Sequence, residues 1–222
     1  MPNPRGLPLG ESIQFGWKTL QSSVVFIIGV TLVAWAVPSV IEWAGDRAFD
    51  RGIQEFGMSI ITGLVSSTFA LGLAKIYLRF RDGEKPIFEN LFDGLARLHV
   101  YIAAMIILSI AVFMGLILLI VPGIIFLLRL WFVGFVVVDE KVGPLEAIQR
   151  SWDMTRGYTM DLFLLFILLV GLNILGLVCL VVGLLATVPI SGLALAYIYR
   201  HLKPKPSAAA SAAPPLQPSA AG

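Results

Sequence analysis

The feature that most constrains this chain is a pair of apolar tracts too long to be single helices in a bilayer. Leu98–Val138 runs 41 residues with one charge, Arg129, and Leu162–Tyr199 runs 38 residues with none. About 20 apolar residues, rising ~1.5 Å each, cross the ~30 Å of hydrocarbon in a typical membrane. Each tract therefore reads as two helices folded back on one another. In the first, Val121-Pro122-Gly123 marks the expected break, because Pro122 removes a backbone donor and Gly123 tolerates a turn. In the second, Gly176 and Gly183 bracket the expected turn, with Pro189 as a competing break. Two tracts of single length, Ser22–Trp43, with a further proline break at Pro38, and Gly57–Tyr77, bring the expected spans to six. The fold class expected is all-α: a polytopic transmembrane helical bundle.

Composition agrees. The 222 residues are 58% apolar and 14% charged, with a mean hydropathy of +0.88 and a net charge of +2. Soluble domains carry about 25% charged residues, so a soluble globular protein, a disordered chain and a disulfide scaffold are excluded. The single cysteine, Cys179, lies in an apolar run and is expected to be a small buried hydrophobe. Residues 1–8 form an N-terminal arm without the pattern of a cleaved signal peptide, so the first apolar segment is expected to be kept as a span. The transmembrane domain covers 9–202. Residues 203–222, rich in Pro, Ala and Ser, are expected to be a disordered cytoplasmic tail.

Charge placement orients the bundle. The N-terminus, the second and fourth loops and the C-terminus hold thirteen of the sixteen basic residues, from Arg5 and Lys18 to Arg200, Lys203 and Lys205. The opposite side has only Arg47 and Arg51, beside Glu42, Asp46, Asp50 and Glu55. Cytoplasmic loops carry the excess of Lys and Arg, so both termini are expected in the cytoplasm of a bacterial inner membrane.

A heptad of residues recurs. Glu11-Ser12-Ile13-Gln14-Phe15-Gly16-Trp17 reappears as Glu146-Ala147-Ile148-Gln149-Arg150-Ser151-Trp152, with Ser12 against Ala147 and Gly16 against Ser151 as small-residue pairs. A weaker copy runs Glu89-Asn90-Leu91-Phe92-Asp93-Gly94-Leu95. Each copy precedes a pair of spans, which reads as three units, each an amphipathic helix plus a hairpin. Leu9, Ile13, Trp17 and Leu20 are spaced for one helical face, as are Leu145, Ile148 and Trp152. Such helices lie in the headgroup layer, with Trp17 and Trp152 at the polar boundary, either as structural elbows or in contact with lipid or a partner.

Few residues carry chemistry. No catalytic, phosphate-loop or Cys-x-x-Cys motif is present, and His99 and His201 stand apart from any second ligand, so no cofactor, metal site or enzymatic activity is expected. Nucleic acid is not an expected partner, because topology accounts for the positive charge. Arg129 is the one charge inside a span. Counting from Pro122 and Asp139 places it well inside the membrane, nearer the outer face. It either snorkels or ties to Glu42, Asp46, Asp50, Glu55 or a freed carbonyl, or else it contacts an anion or lipid headgroup. Asp139 and Glu140, with Arg156 beyond them, mark a membrane boundary where sequential carboxylates are expected to point apart into solvent. Asn173 is expected to hydrogen-bond to another helix. Thr62, Ser66, Ser67, Thr68, Gly63 and Gly72 form a small-residue face for close packing.

With these residues in view, the chain resembles the six-span bacterial membrane proteins of the YciC-like and glycerophosphoryl diester phosphodiesterase membrane-domain type. The resemblance spans residues 9–202. It is carried by Arg81-Asp82-Gly83-Glu84-Lys85-Pro86 with Leu91-Phe92, by Gly115 through Val121-Pro122-Gly123-Ile124, and by Val138-Asp139-Glu140. It extends through Ala147-Ile148-Gln149-Arg150-Ser151-Trp152, Thr155-Arg156-Gly157, Pro189 and Tyr199. It implies membrane location and fold. No soluble phosphodiesterase of the kind fused to some of these proteins is expected within these 222 residues, so its activity is not expected to carry over. The leading functional expectation is a non-enzymatic envelope scaffold or accessory subunit among membrane lipids and other envelope proteins. The alternative is a transporter, or a lipid- or small-anion-handling protein using Arg129, since repeats and discontinuous helices recur in transporters.

Overall fold

The computed structural model describes residues 6–48, 53–118, 120–179 and 183–203, and these fold into helices and short turns. Asp50, Arg51 and the Pro/Ala/Ser-rich segment from 204 lie outside the described residues, as do the side chains of Asp46 and Glu55. The helices are α1 (Leu9–Ser22), α2 (Val24–Ala48), α3 (Ile53–Arg81), α4 (Leu98–Leu118), α5 (Ile120–Leu130), α6 (Val133–Glu140), α7 (Pro144–Met154), α8 (Thr159–Val178) and α9 (Leu184–Leu202). Two short 3-10 turns, Phe88–Phe92 and Leu95–Arg97, join α3 to α4. Four of the described helical segments are long and apolar enough to cross a membrane: Val24–Gly45, Gly57–Arg81, Phe88–Phe113 and Thr159–Val178.

The core lies around the short helix α6 and the longer α9. Val133, Phe135, Val136, Val137 and Val138 of α6 are all buried, as are Ile190, Leu193, Ala194, Ala196, Ile198 and Tyr199 of α9. α9 packs against α1, α2, α3 and α8, and α6 against α3, α4 and α7. Small residues let these helices close up: a β-carbon at Gly192 would fall 2.2 Å from the Tyr77 ring. The outer helices instead leave large apolar side chains uncovered, such as Val25, Trp35 and Val40 on α2 and Ile167, Ile174 and Val178 on α8. That is the pattern of a lipid-facing surface, where leaving an apolar side chain outside the protein carries no hydrophobic cost. Several hydroxyls on the apolar helices return to their own backbone, as Thr31 does to the Ile27 carbonyl at 2.7 Å and Ser109 to Met105 at 2.7 Å. Hydrocarbon supplies no other acceptor.

Several expected breaks fall elsewhere. Pro38 lies inside α2 and Pro189 inside α9, so neither ends its helix. The fold-back of the first long tract sits at the junction of α4 and α5, ahead of Val121-Pro122-Gly123. Pro122 thereby occupies the first turn of α5, where backbone N–H groups have no intrahelical acceptor and a proline is tolerated. The second turn does fall between Gly176 and Gly183: a β-carbon at Gly183 would lie 2.4 Å from the Gly176 carbonyl oxygen. Cys179, expected to be buried, is exposed where α8 ends.

The repeated segments differ in form. α1 and α7 are helices as expected, but the copy at 89–95 is 3-10 turn. There Asn90 accepts the Ile87 N–H at 3.0 Å and donates to Asp93 at 3.1 Å, local bonds that compete with an α-helix. The buried faces differ from the expected apolar stripes. α1 buries Ser12, Gly16 and Leu20, and the corresponding stripe of the other copy is Ala147, Ser151 and Thr155, all fully covered. Trp17 and Leu145 remain exposed. Docking through a small-residue stripe lets each elbow approach a backbone closely, which a stripe of large side chains prevents.

Candidate functional site

α6 ends in Asp139 and Glu140, and α9 ends beside them. Tyr199 is fully buried, with its ring 5.7 Å from Phe135 and 6.4 Å from Phe132. Its hydroxyl lies 3.0 Å from the Asp139 carboxylate and 3.2 Å from Glu140, so one phenolic proton is shared between two acceptors. Lys203 donates to Asp139 and lies 3.5 Å from Glu140. Arg200 spreads its fork over two carboxylates. Nε and Nη2 hold Asp82, in the turn after α3, at 2.9 and 2.5 Å, and Nη1 holds Asp139 at 2.7 Å. Arg150 on α7 donates to Glu140 and, one helical turn back, to Glu146. One lattice of charge thus joins the ends of α3, α6, α7 and α9.

The adjacent carboxylates therefore do not point apart into solvent. Residues about 100° apart on the last helical turn flank a single hydroxyl. Their side chains are only 11% and 10% exposed. Burial would raise the Asp139 carboxyl, but the hydrogen bonds from Lys203 and Arg200, the charge of Arg200 and the Tyr199 hydroxyl outweigh it and hold the group below its ordinary value. Glu140 and Glu146 in turn raise Arg150. Ordinary sequence reading registers Asp82, Arg200 and Lys203 only as boundary charges. Nothing in their spacing announces that four separate helix ends converge.

Arg129 sits at a different level from the one expected. Its Nε and Nη2 donate to the Thr159 hydroxyl at 3.3 and 3.2 Å, and its guanidinium lies 4.4 Å above the Trp152 ring. Thr159 is the first residue of α8, so Arg129 belongs to the same end of the bundle as the ion lattice. Counting residues back from Asp139 overstated its depth because the helix is interrupted at Trp131–Phe132 before α6 begins. Among the described residues Arg129 makes no ion pair, and Glu42 is exposed elsewhere. The Arg129 carbonyl also takes part, accepting from Ser151 at 2.8 Å.

Asn173 is tied internally. Its amide donates to the Ser191 hydroxyl at 2.9 Å and the Leu169 carbonyl at 2.7 Å, while its oxygen accepts from Thr187 at 3.1 Å. This clamps α8 to α9 near their shared turn. Arg156 is exposed, Trp17 is half exposed, and Trp152 is partly covered beneath Arg129.

The elbow segments make one contact in common. A β-carbon at Gly16 would lie 2.8 Å from the Ile190 carbonyl oxygen of α9, and one at Gly94 would lie 2.5 Å from the Thr68 carbonyl oxygen of α3. Ser151, in the matching place of the third copy, donates to the Arg129 carbonyl of α5. Gly72 of the expected small-residue face is packed the same way, 1.9 Å from the Leu91 carbonyl oxygen for an added β-carbon, whereas Gly63 faces open space.

A family model described as a domain of unknown function, DUF7847, matches residues 47–222, and the chain belongs to that family. No curated protein and no solved structure matches it.

Proposed function

We propose that this DUF7847 member is a six-span protein of the bacterial inner membrane, with both termini cytoplasmic, acting without catalysis as a scaffold or accessory subunit of the envelope. The observation that carries the reading is how its interior polar groups are used. Arg129 is committed to Thr159 and Trp152, and Asn173 to Ser191 and Thr187, so each binds helices together. The alternative, a transporter or lipid- or small-anion-handling protein working through Arg129, needs that guanidinium for an outside ligand.

The elbow contacts support a three-unit arrangement, in which each elbow docks on the second span of another unit: α1 on α9, the turns after α3 back on α3, and α7 on the α5 part of the span that α5 and α6 would form. The two spans beyond the four long helices would be α5 with α6, and α9. The resemblance to YciC-like membrane proteins is proposed on the same ground of a shared six-span plan.

The test is purification in a gentle detergent, followed by mass spectrometry of protein and lipid. A membrane protein held at fixed stoichiometry supports the scaffold. A chain that moves a labelled anion or lipid across proteoliposomes, with loss of flux in Arg129→Leu, overturns it. For topology, a reporter fused after Lys205 should be cytoplasmic and one inserted between 46 and 55 external. Two reporters on one side would refute the six-span count.

A further inference from the structure

The end of the bundle that carries the ion lattice also carries a cleft of about 750 Å³, walled by the last turns of α3, the segment before α4 and the end of α6. Its charged lining is Lys75 and Arg79 from α3, Arg97, and Lys141, against one carboxylate, Asp93, which Asn90 already engages. Among the described residues, Lys75, Arg97 and Lys141 have no carboxylate within ion-pair distance. Arg79 reaches only the exposed Glu84, and its buried Nε, 3.8 Å from that carboxylate, makes no hydrogen bond. Four cations gathered around one cavity repel one another, and an outside anion relieves that repulsion.

The surroundings specify the anion further. The cleft lies where the apolar segment Gly57–Arg81 ends and Phe88–Phe113 begins, the level of lipid headgroups for helices that cross a membrane. Phe92 and Leu95, 51% and 61% exposed, form an apolar lip on the basic floor. Lys141 stands there on a left-handed backbone, φ 55° and ψ 33°, that residues with a β-carbon seldom adopt. A phosphate with acyl chains behind it matches both floor and lip.

We propose that this cleft binds the phosphate of an anionic phospholipid headgroup, with Lys75, Arg79, Arg97 and Lys141 around the phosphate and Phe92 and Leu95 against the start of the acyl chains. The inference rests on the membrane placement proposed above and not on the scaffold role. Free phosphate shares the recognised chemistry, so the test separates the two sources.

The full chain, in a neutral detergent, is titrated with phosphatidylglycerol, with phosphatidylcholine and with inorganic phosphate, and bound lipid is counted by native mass spectrometry. One phosphatidylglycerol per chain is the expected result. Removing a surface cation weakens binding about five-fold, so Lys75→Gln with Arg97→Gln and Lys141→Gln together should weaken it about 100-fold. Arg97→Gln alone should cost about five-fold and guards against a triple variant that fails to fold. Arg156→Gln, an exposed cation outside the cleft lining, should change nothing. Phosphatidylcholine retained equally, or phosphatidylglycerol held undiminished by Arg97→Gln and the folded triple variant, overturns the site. Displacement of the lipid by inorganic phosphate reassigns the site to the free anion and overturns the headgroup, whereas persistence of the lipid supports it. A failed reporter test with lipid binding intact would break the placement alone.

Discussion

Val138, Asp139, Glu140 and Lys141 are consecutive, yet they serve two regions that treat charge in opposite ways. Asp139 and Glu140 meet Arg200, Lys203, Arg150 and Tyr199, and each acid there has a base. Val138 and Lys141 line the basic cleft, where cations outnumber the single acid. A matched lattice fixes helix ends to one another and has little left to offer a ligand. An unmatched cluster weakens the fold slightly and holds its attraction in reserve for something outside. Sequence neighbours can thus fall on opposite sides of the division between holding the fold and binding.

The sharpest way to break this contrast is to neutralise one member of each region. Asp139→Asn takes a shared carboxylate from Arg200 and Lys203 at a part-buried site and should lower stability by about 3 kcal/mol, moderated because Arg200 keeps Asp82 and Lys203 keeps Glu140. Lys141→Gln should leave stability within about 0.5 kcal/mol or raise it, since it removes repulsion. Thermal unfolding of both variants in one lipid-free detergent decides the matter. Equal losses would mean that the cleft is a second lattice.

Next in size is Gly72→Ala. Its β-carbon would meet the Leu91 carbonyl and push away the segment that walls the cleft, costing about 2 kcal/mol. It should also abolish phosphatidylglycerol retention while the Asp139 pairs persist. Retention unchanged in the folded variant would show that the wall is not set by this contact.

Arg129→Leu should cost about 1–2 kcal/mol, through the lost Trp152 and Thr159 contacts. Arg129→Lys keeps a cation over the ring but not the two-donor grip, and should recover part of the loss. Neither should alter lipid retention. If either does, Arg129 belongs with the cleft.

The smallest effect at neutral pH lies in acid. The folded Asp139 group is depressed below its ordinary value near 3.8, so its stabilisation is present above that value and is lost as pH falls through the lower folded one. Denaturation midpoints should show that acid limb in the wild type and a reduced one in Asp139→Asn. Lys75→Gln should leave the limb intact.

What the sequence made legible was what periodicity and composition encode: helices throughout, apolar tracts of membrane length, the turn between Gly176 and Gly183, and the two elbow helices. Even the small-residue pairs of the repeat, Ser12 with Ala147 and Gly16 with Ser151, proved to be the buried stripe. What escaped was convergence. Asp82, Asp139, Arg150 and Arg200 come from four chain segments, and no spacing relates them. Arg129 meets Thr159 at the start of α8 and not a deeper level, because a two-residue interruption of a helix has no sequence signature in an apolar run. The Pro122 break was misplaced for a related reason, since a proline is as much at home in a first helical turn as in a turn between helices.

The Gly16 contact orders events in time. α1 leaves the ribosome well before its docking partner, α9. Until Ile190 emerges, the Ser12–Gly16–Leu20 stripe has no surface to lie on. A chain stopped after α8 would carry that bare stripe as a mark of incompleteness for the cell's proteases to read, and only a chain that includes α9 hides it.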